Sequence, residues 1–340
     1  MKTYGIGVLG CGAVSQHHML AYESSERLKC VCVYDPVQER ALDASRRTGA
    51  RVGASAEEVL TASDVDIVAV LSPVFTHADY VEVGAVAGKH FMLEKPMATT
   101  SDEGERIVKA IEKAGVKCFH PTLRALASDL FEKLQELTAE SGELGPVSSA
   151  FYHLVGKPFN RSSWMLDRKL CFPPGEYDPH VFDTFLELTG DDPATVWCHT
   201  GRYSRPFEQD DVTIIAVTFH GGRFLQFDVH WVLDPEWKGG TRAAFDIVCE
   251  RGLIRHNWWS LEWHTSNGVG EFASKRRGTE HITQGNRWDH YHALIDAIEN
   301  GSVLSPNELD GLRYVRIQDA ALKSSQTGQI VSLERSGRRM

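Results

Sequence analysis

An apolar run, Gly5–Leu9, ends directly in Gly10-Cys11-Gly12, and a helix-forming stretch with His17–Ser24 follows. No other feature restricts the chain as much. A buried strand that turns on glycine into a helix opens a βαβ unit, whose next strand returns parallel to the first. The pattern then repeats. Leu28–Tyr34, Val65–Leu71, His90–Glu94 and Lys117–His120 read as strands; Pro36–Thr48, Tyr80–Ala87 and Asp102–Ala114 read as helices. Val65–Leu71 shows no polar alternation after Asp66, as expected of a strand covered on both faces. Residues 1–122 are therefore predicted to form an α/β, doubly wound parallel sheet.

The character changes after a linking helix, Leu126–Leu137, and a glycine-proline break at Gly142–Pro146. Val147–Val155, Thr195–Tyr203, Val212–Phe219, Phe224–Leu233 and Arg242–Glu250 read as strands. His220-Gly221-Gly222-Arg223 reads as a hairpin turn, since glycine supplies the positive φ such turns need. Pro179–Leu188, Trp288–Asn300 and Glu308–Thr327 read as helices. Residues 123–340 are expected to form an α+β domain with a large open, mostly antiparallel sheet. An open face rich in Val, Phe and Trp needs a cover, and stacking of two such faces in a homo-oligomer, a dimer or tetramer, is the expected one.

Composition sets the outer limits. The 340 residues suit two domains, and 42% hydrophobic content excludes a disordered chain. A net charge of -10 gives no support to nucleic acid as a partner. The seven cysteines form no CxxC pair, which fits a reducing, cytoplasmic setting. No apolar run approaches the ~20 residues of a membrane helix, so no membrane partner is expected. Fifteen histidines invite a metal reading. His17-His18 and His290-x-His292 lack a further ligand at matching spacing, so no metal is expected.

The glycine junction carries the first chemistry. Gly10 permits the tight turn, and Gly12 lets backbone approach a pyrophosphate seated on the helix N-terminus at Cys11, Ala13 and Val14. Ser15 replaces the third glycine of this fingerprint and is still small enough for close packing. Asp35, 20 residues beyond Ser15, ends the second strand where a carboxylate accepts hydrogen bonds from ribose hydroxyls. It would repel a 2′-phosphate, which favours NAD over NADP; Arg40 nearby would partly offset that. Residues 1–122 thus read as an NAD(P)-binding Rossmann domain.

Three segments sharpen this reading: the run Gly10 to His18, Leu71-Ser72-Pro73-Val74-Phe75-Thr76-His77, and Gly88-Lys89-His90-Phe91-Met92-Leu93-Glu94-Lys95-Pro96. Together with Asp310-Gly311 near the C-terminus, they resemble the glucose–fructose oxidoreductase / inositol dehydrogenase (Gfo/Idh/MocA) family along nearly the whole chain. The resemblance implies that Lys95 is the catalytic lysine, reaching nicotinamide ribose and substrate hydroxyl. It places Glu94 on the nicotinamide side, puts Ser72, Pro73 and His77 along the cofactor, and implies a cis Lys95–Pro96 bond. A cation beside the reacting hydroxyl stabilises the developing alkoxide.

Glu176-Tyr177-Asp178-Pro179-His180-Val181-Phe182-Asp183 holds the second half of the expected site. Asp178 reads as an N-cap and Pro179 as the first helical residue, with His180 in the first turn. The positive helix end keeps its imidazole neutral, as a base, while Asp183 on the same face favours the protonated form. The stretch is similar to the family's DxGxHxxD segment, which makes His180 and the upstream acid catalytic. Glu176 stands at the acid position, and Asp178 stands where glycine is usual. Arg124 matches a place where family members present an arginine to the substrate side, and Trp164 resembles the family's tryptophan ahead of the active-site helix, placed to stack on nicotinamide or sugar, although it reads equally as a core aromatic. Tyr152 and His153 alternate on a strand, so only one can face a cleft; Tyr152 is the substrate-side candidate.

The expected function is hydride transfer between nicotinamide and a hydroxyl or keto carbon of a sugar, sugar derivative or cyclitol, a substrate class implied by the resemblance. Two alternatives stay open on the same fold: a glycoside-cleaving enzyme that oxidises its substrate transiently, and a cofactor-sensing protein without net turnover.

Overall fold

The computed structural model describes residues 1–122, 128–157, 178–203, 210–234, 236–257, 259–275 and 286–335, with Asp178 and Asn286 as backbone only. They divide into two compact units. The first comprises Met1–Leu126 with Arg277–Val315, and the second Ala127–Arg276 with Arg316–Met340.

The first unit holds a six-stranded sheet of β1 (Tyr4–Leu9), β2 (Leu28–Tyr34), β3 (Arg51–Val52), β4 (Ile67–Val70), β5 (His90–Leu93) and β6 (Cys118–Phe119). Their order is β3-β2-β1-β4-β5-β6 and every pair is parallel. The chain reverses at β1/β4, where a doubly wound sheet opens a crevice at its strand ends. All of β1 and β4 is buried, as their unbroken apolar sequence requires. Between the strands lie α1 (Ala13–Glu23), α2 (Gln38–Thr48), α3 (Ala56–Thr61), α4 (His77–Val86) and α5 (Ser101–Ala114). The short β3 and α3 lie outside the expected set. Ser55 starts α3 by accepting a hydrogen bond from the Glu58 N–H, and Thr100 starts α5 by accepting one from Glu103.

The second unit begins with α6 (Ser128–Thr138) and holds a nine-stranded sheet. Its strands are β7 (Val147–Val155), β8 (Pro193–Gly201), β9 (Val212–Phe219), β10 (Phe224–His230), β11 (Arg242–Cys249), β12 (Gly252–Asn257), β13 (Ser260–Thr265), β14 (Gly268–Ala273) and β15 (Val331–Ser332). The order is β14-β13-β12-β11-β7-β10-β9-β8-β15, antiparallel except for the central β7–β10 pair. That pair is parallel because the chain passes through α7 (Asp178–Thr189), β8 and β9 before β10 returns beside β7. The predicted hairpin joins β9 and β10, with Gly222 at φ 83°. The meander β12–β14 was not expected.

One face of this sheet is covered. Phe182 and Phe185 of α7 pack on Phe227 and Phe219, with ring centroids 5.4 and 4.9 Å apart. The opposite face shows Phe151, Trp197 and Thr218 to solvent.

The expected boundary at residue 122 is incomplete, because α8 (Asn286–Asn300) belongs to the first unit. Its Tyr291, Leu294, Ile295 and Ala297 are fully buried in the same core as Ile6, Met19, Cys30 and Val33. The sheet needs this helix to cover apolar surface beside α1. The helix α9 (Glu308–Thr327) begins in the first unit and ends in the second. Among the described residues no helix is long and apolar enough to cross a membrane.

Candidate active site

The glycine loop leaves β1 with Gly10 at φ +94°. A Cβ there would lie 2.7 Å from the Ser72 backbone nitrogen, so the loop touches the end of β4 only because Gly10 has no side chain. Gly12 is different: a Cβ built on it meets nothing within 4 Å. The space lies at the start of α1, where no side chain caps the helix among the described residues and no acid occupies the first turn. Ser15 is buried and donates from Oγ to the Gly12 carbonyl at 2.6 Å. An open cradle over a positive helix end suits a pyrophosphate, so the loop fits a dinucleotide.

Asp35 closes the loop from β2. Its carboxylate accepts the Cys11 N–H at 2.9 Å and the Val37 N–H at 2.8 Å. It thus holds the glycine turn in shape, a role the sequence reading did not include, and keeps further lone pairs for ribose hydroxyls. Burial pushes the Cys11 thiol up to about 12, with the Asp35 charge adding to it, so this cysteine is an inert spacer. Arg40 is exposed on α2.

After β4, the Ser72 and Thr76 hydroxyls bond at 2.7 Å, and Pro73 leads a short 3-10 turn, Val74–Thr76. His77 is 1% exposed and spans two loops, with Nε2 on the Ser72 carbonyl (3.0 Å) and Nδ1 on the Met97 carbonyl (3.1 Å). Burial lowers its pKa, so the ring is neutral and donates to one carbonyl at a time. Its place is that of a pin between the β4 and β5 loops.

Lys95 and Pro96 follow β5, joined by a cis peptide as expected. The preceding Glu94 is 6% exposed. Arg287 of α8 donates to its Oε1 at 2.8 Å, His18 Nε2 lies at 3.2 Å, and the Lys95 N–H donates to Oε2 at 3.2 Å. Burial alone would raise this carboxyl; Arg287, then His18, outweigh it and hold Glu94 well below the usual range. His18 is itself lowered to about 4, chiefly by burial. A neutral His18 gives one proton order: Tyr22 donates to Tyr291 (2.6 Å), Tyr291 to His18 Nδ1 (2.9 Å), and His18 Nε2–H to Glu94.

A second relay braces the same segment from behind. His120, lowered to about 4 by burial, donates from Nδ1 to the Leu93 carbonyl at 2.8 Å. Its Nε2 accepts from Tyr314 at 3.2 Å, and the Tyr314 oxygen accepts the Met97 N–H. Lys95 is thus carried on a short span, Leu93–Met97, fixed at both ends. Arg287, Tyr291, His120 and Tyr314 escaped the sequence reading. Only the buried carboxylate of Glu94, which demands a cation, signalled a missing partner.

In the second unit α7 places His180 in its first turn, partly buried, and Asp183 one turn on, buried. The helix starts at Asp178, whose side chain lies outside the described residues. Glu176, Arg124 and Trp164 also lie outside them. Tyr152 is 2% exposed on the covered face, its ring 5.1 Å from that of Phe227. It packs on the covered face, and His153 takes the open face.

Comparison with known proteins agrees with this geometry. Residues 4–121 match an oxidoreductase family with an NAD-binding Rossmann fold, and residues 131–255 match the GFO/IDH/MocA C-terminal domain. An inositol 2-dehydrogenase of Ralstonia nicotianae is 25% identical, covering 99% of this chain and 98% of the relative. The solved structure of levoglucosan dehydrogenase with NADH superposes at a TM-score of 0.84, with 20% identity over 98% of this chain and 100% of that one. GenD2 from gentamicin A biosynthesis, solved with NAD, gives 0.83 and 20%, over 98% and 97%. The two matched segments cover most of the chain, and the protein belongs to the GFO/IDH/MocA family of NAD-binding oxidoreductases.

Proposed function

We propose that the protein oxidises a secondary hydroxyl of a cyclitol, sugar or sugar derivative, or reduces the corresponding ketone. The observation that carries this reading is the doubly braced Leu93–Met97 span, which presents Lys95 beside an ionised, buried Glu94. The names of the relatives, an inositol and a levoglucosan dehydrogenase, support the substrate class.

Gly10, Cys11, Gly12, Ala13 and Val14 would hold the pyrophosphate, and Asp35 the adenosine ribose. Ser72, Pro73 and Glu94 would line the nicotinamide half. NAD, when bound, supplies the hydride acceptor. Lys95 Nζ donates to the reacting oxygen and stabilises negative charge as it develops there. The His180 imidazole removes the hydroxyl proton, and Asp183 and Glu176 orient and stabilise the imidazolium. Arg124, Asp178 and Trp164 would complete the substrate contacts. We further propose that two copies cover the open sheet face, and that the protein works in a reducing compartment, a reading supported by seven cysteines that form no CxxC pair.

The test follows nicotinamide absorbance with NAD and with NADP across inositols, sugars and anhydrosugars, for wild type and Lys95→Ala. Reduction of NAD by one class, with kcat lowered about 10²–10⁴-fold in the variant, is expected. NAD binding without reduction by any polyol would refute the reading, and cleaved glycosides without net reduction would replace it with transient oxidation.

A further inference from the structure

The open face of the nine-stranded sheet carries a cluster that hydride transfer does not use. His153 of β7 and Asp228 of β10 are direct partners in the parallel register, and His230 lies two residues beyond Asp228 on the same face. Both imidazoles converge on one carboxylate oxygen: His153 Nδ1 is in close contact with Asp228 Oδ2, and His230 Nε2 lies 3.2 Å from it. The three ligand atoms lie within 4.8 Å of one another, and the two rings are 5.5 Å apart.

We infer that His153, Asp228 and His230 form a binding site for a divalent transition-metal ion of the zinc class. The donor set is two imidazole nitrogens and one carboxylate oxygen, which suits zinc and its borderline neighbours rather than magnesium or calcium. Bonds of about 2 Å to a tetrahedral ion need donors roughly 3.4 Å apart, within the spread of the three atoms. Little movement is required, because β7 and β10 are the central strands of the sheet and each is hydrogen-bonded on both sides. The lateral neighbours, Ala244 beside His153 and Ile214 beside Asp228, bring no cation that would compete for the carboxylate. In the single chain about half of the His153 side chain is exposed, so a fourth ligand position remains open to water or to a group of the copy that covers this face. Sequence spacing hid this set: Asp228-x-His230 is visible, but His153 joins it only through the β7–β10 pairing.

The experiment titrates chelator-treated full-length protein with Zn²⁺ by calorimetry and with Co²⁺ by visible absorption, comparing wild type with His153→Ala and Asp228→Asn. One saturable equivalent is expected in wild type, with Co²⁺ ligand-field bands and a metal-dependent rise in Tm. Each variant should bind at least about tenfold more weakly. His153→Ala, truncated at an exposed side chain, should keep its metal-free Tm and so separates ligand loss from unfolding. Absence of saturable binding in wild type, or unchanged binding in His153→Ala, would overturn the proposal.

Discussion

At the residue scale the site rests on where protons and charges are fixed. Glu94 must stay ionised inside the protein, and Arg287 is the cation that keeps it so. Arg287→Leu would leave a buried, unpaired carboxylate, costing about 3–5 kcal/mol in chemical denaturation. Adding Glu94→Gln should recover part of the loss, because the neutral amide needs no counter-charge; no recovery would mean that Arg287 acts through packing alone. Asp35 makes a separate prediction. Its charge opposes a 2′-phosphate, so Asp35→Asn should raise the ratio of NADP to NAD efficiency while retaining an acceptor for the Cys11 N–H. An unchanged ratio would move cofactor discrimination elsewhere.

At the element scale, α8 completes a unit that the chain begins more than 280 residues earlier. Tyr291, Leu294 and Ile295 cover core that residues 1–122 cannot cover alone. A fragment ending at residue 122 should therefore bind ANS and lack a cooperative melt, and a cooperative melt from that fragment would contradict the packing argument. Much of the fold was legible because local patterns decide it. The β1–glycine–α1 junction and the apolar β4 could be read from a few consecutive residues. The hairpin at Gly221-Gly222 and the α9 bounds, Glu308–Thr327, came out as predicted. What stayed hidden depends on long-range pairing. The β12–β14 meander mixes polar and apolar residues on strands of six, and the partners of Glu94 and Leu93 lie on distant segments. Lys95 was legible only through a resemblance, since lysine before proline carries no signal of its own. Alternation shows that Tyr152 and His153 take opposite faces, not which of those faces is covered.

At the scale of the whole molecule, acid stability follows from buried neutral histidines in both units. His18, His120 and His256 are each lowered to about 4, in each case chiefly by burial. In the unfolded chain they take protons near 6.5, which the folded chain refuses until about 4. The unfolded state therefore binds more protons between those values. The contribution of these histidines should be full above pH 6.5 and fall as pH drops toward 4, by roughly 3 kcal/mol for each; His120→Asn should flatten the slope, and an equal slope in that variant would dissociate it from the titration. Sedimentation at micromolar concentration should give a mass above the monomer's 37.9 kDa, lowered by Phe151→Asp on the open face. A monomeric wild type would refute the stacked pair. The central claim is that hydride passes between a polyol carbon and nicotinamide under Lys95 and His180. It is tested most directly by a single turnover with substrate deuterated at the carbinol carbon. One deuterium should appear in the reduced nicotinamide of wild type, and transfer should fall about 10²-fold or more in His180→Ala and in Lys95→Ala. Product formed without label in the cofactor, or label transfer undiminished in both variants, would contradict the account.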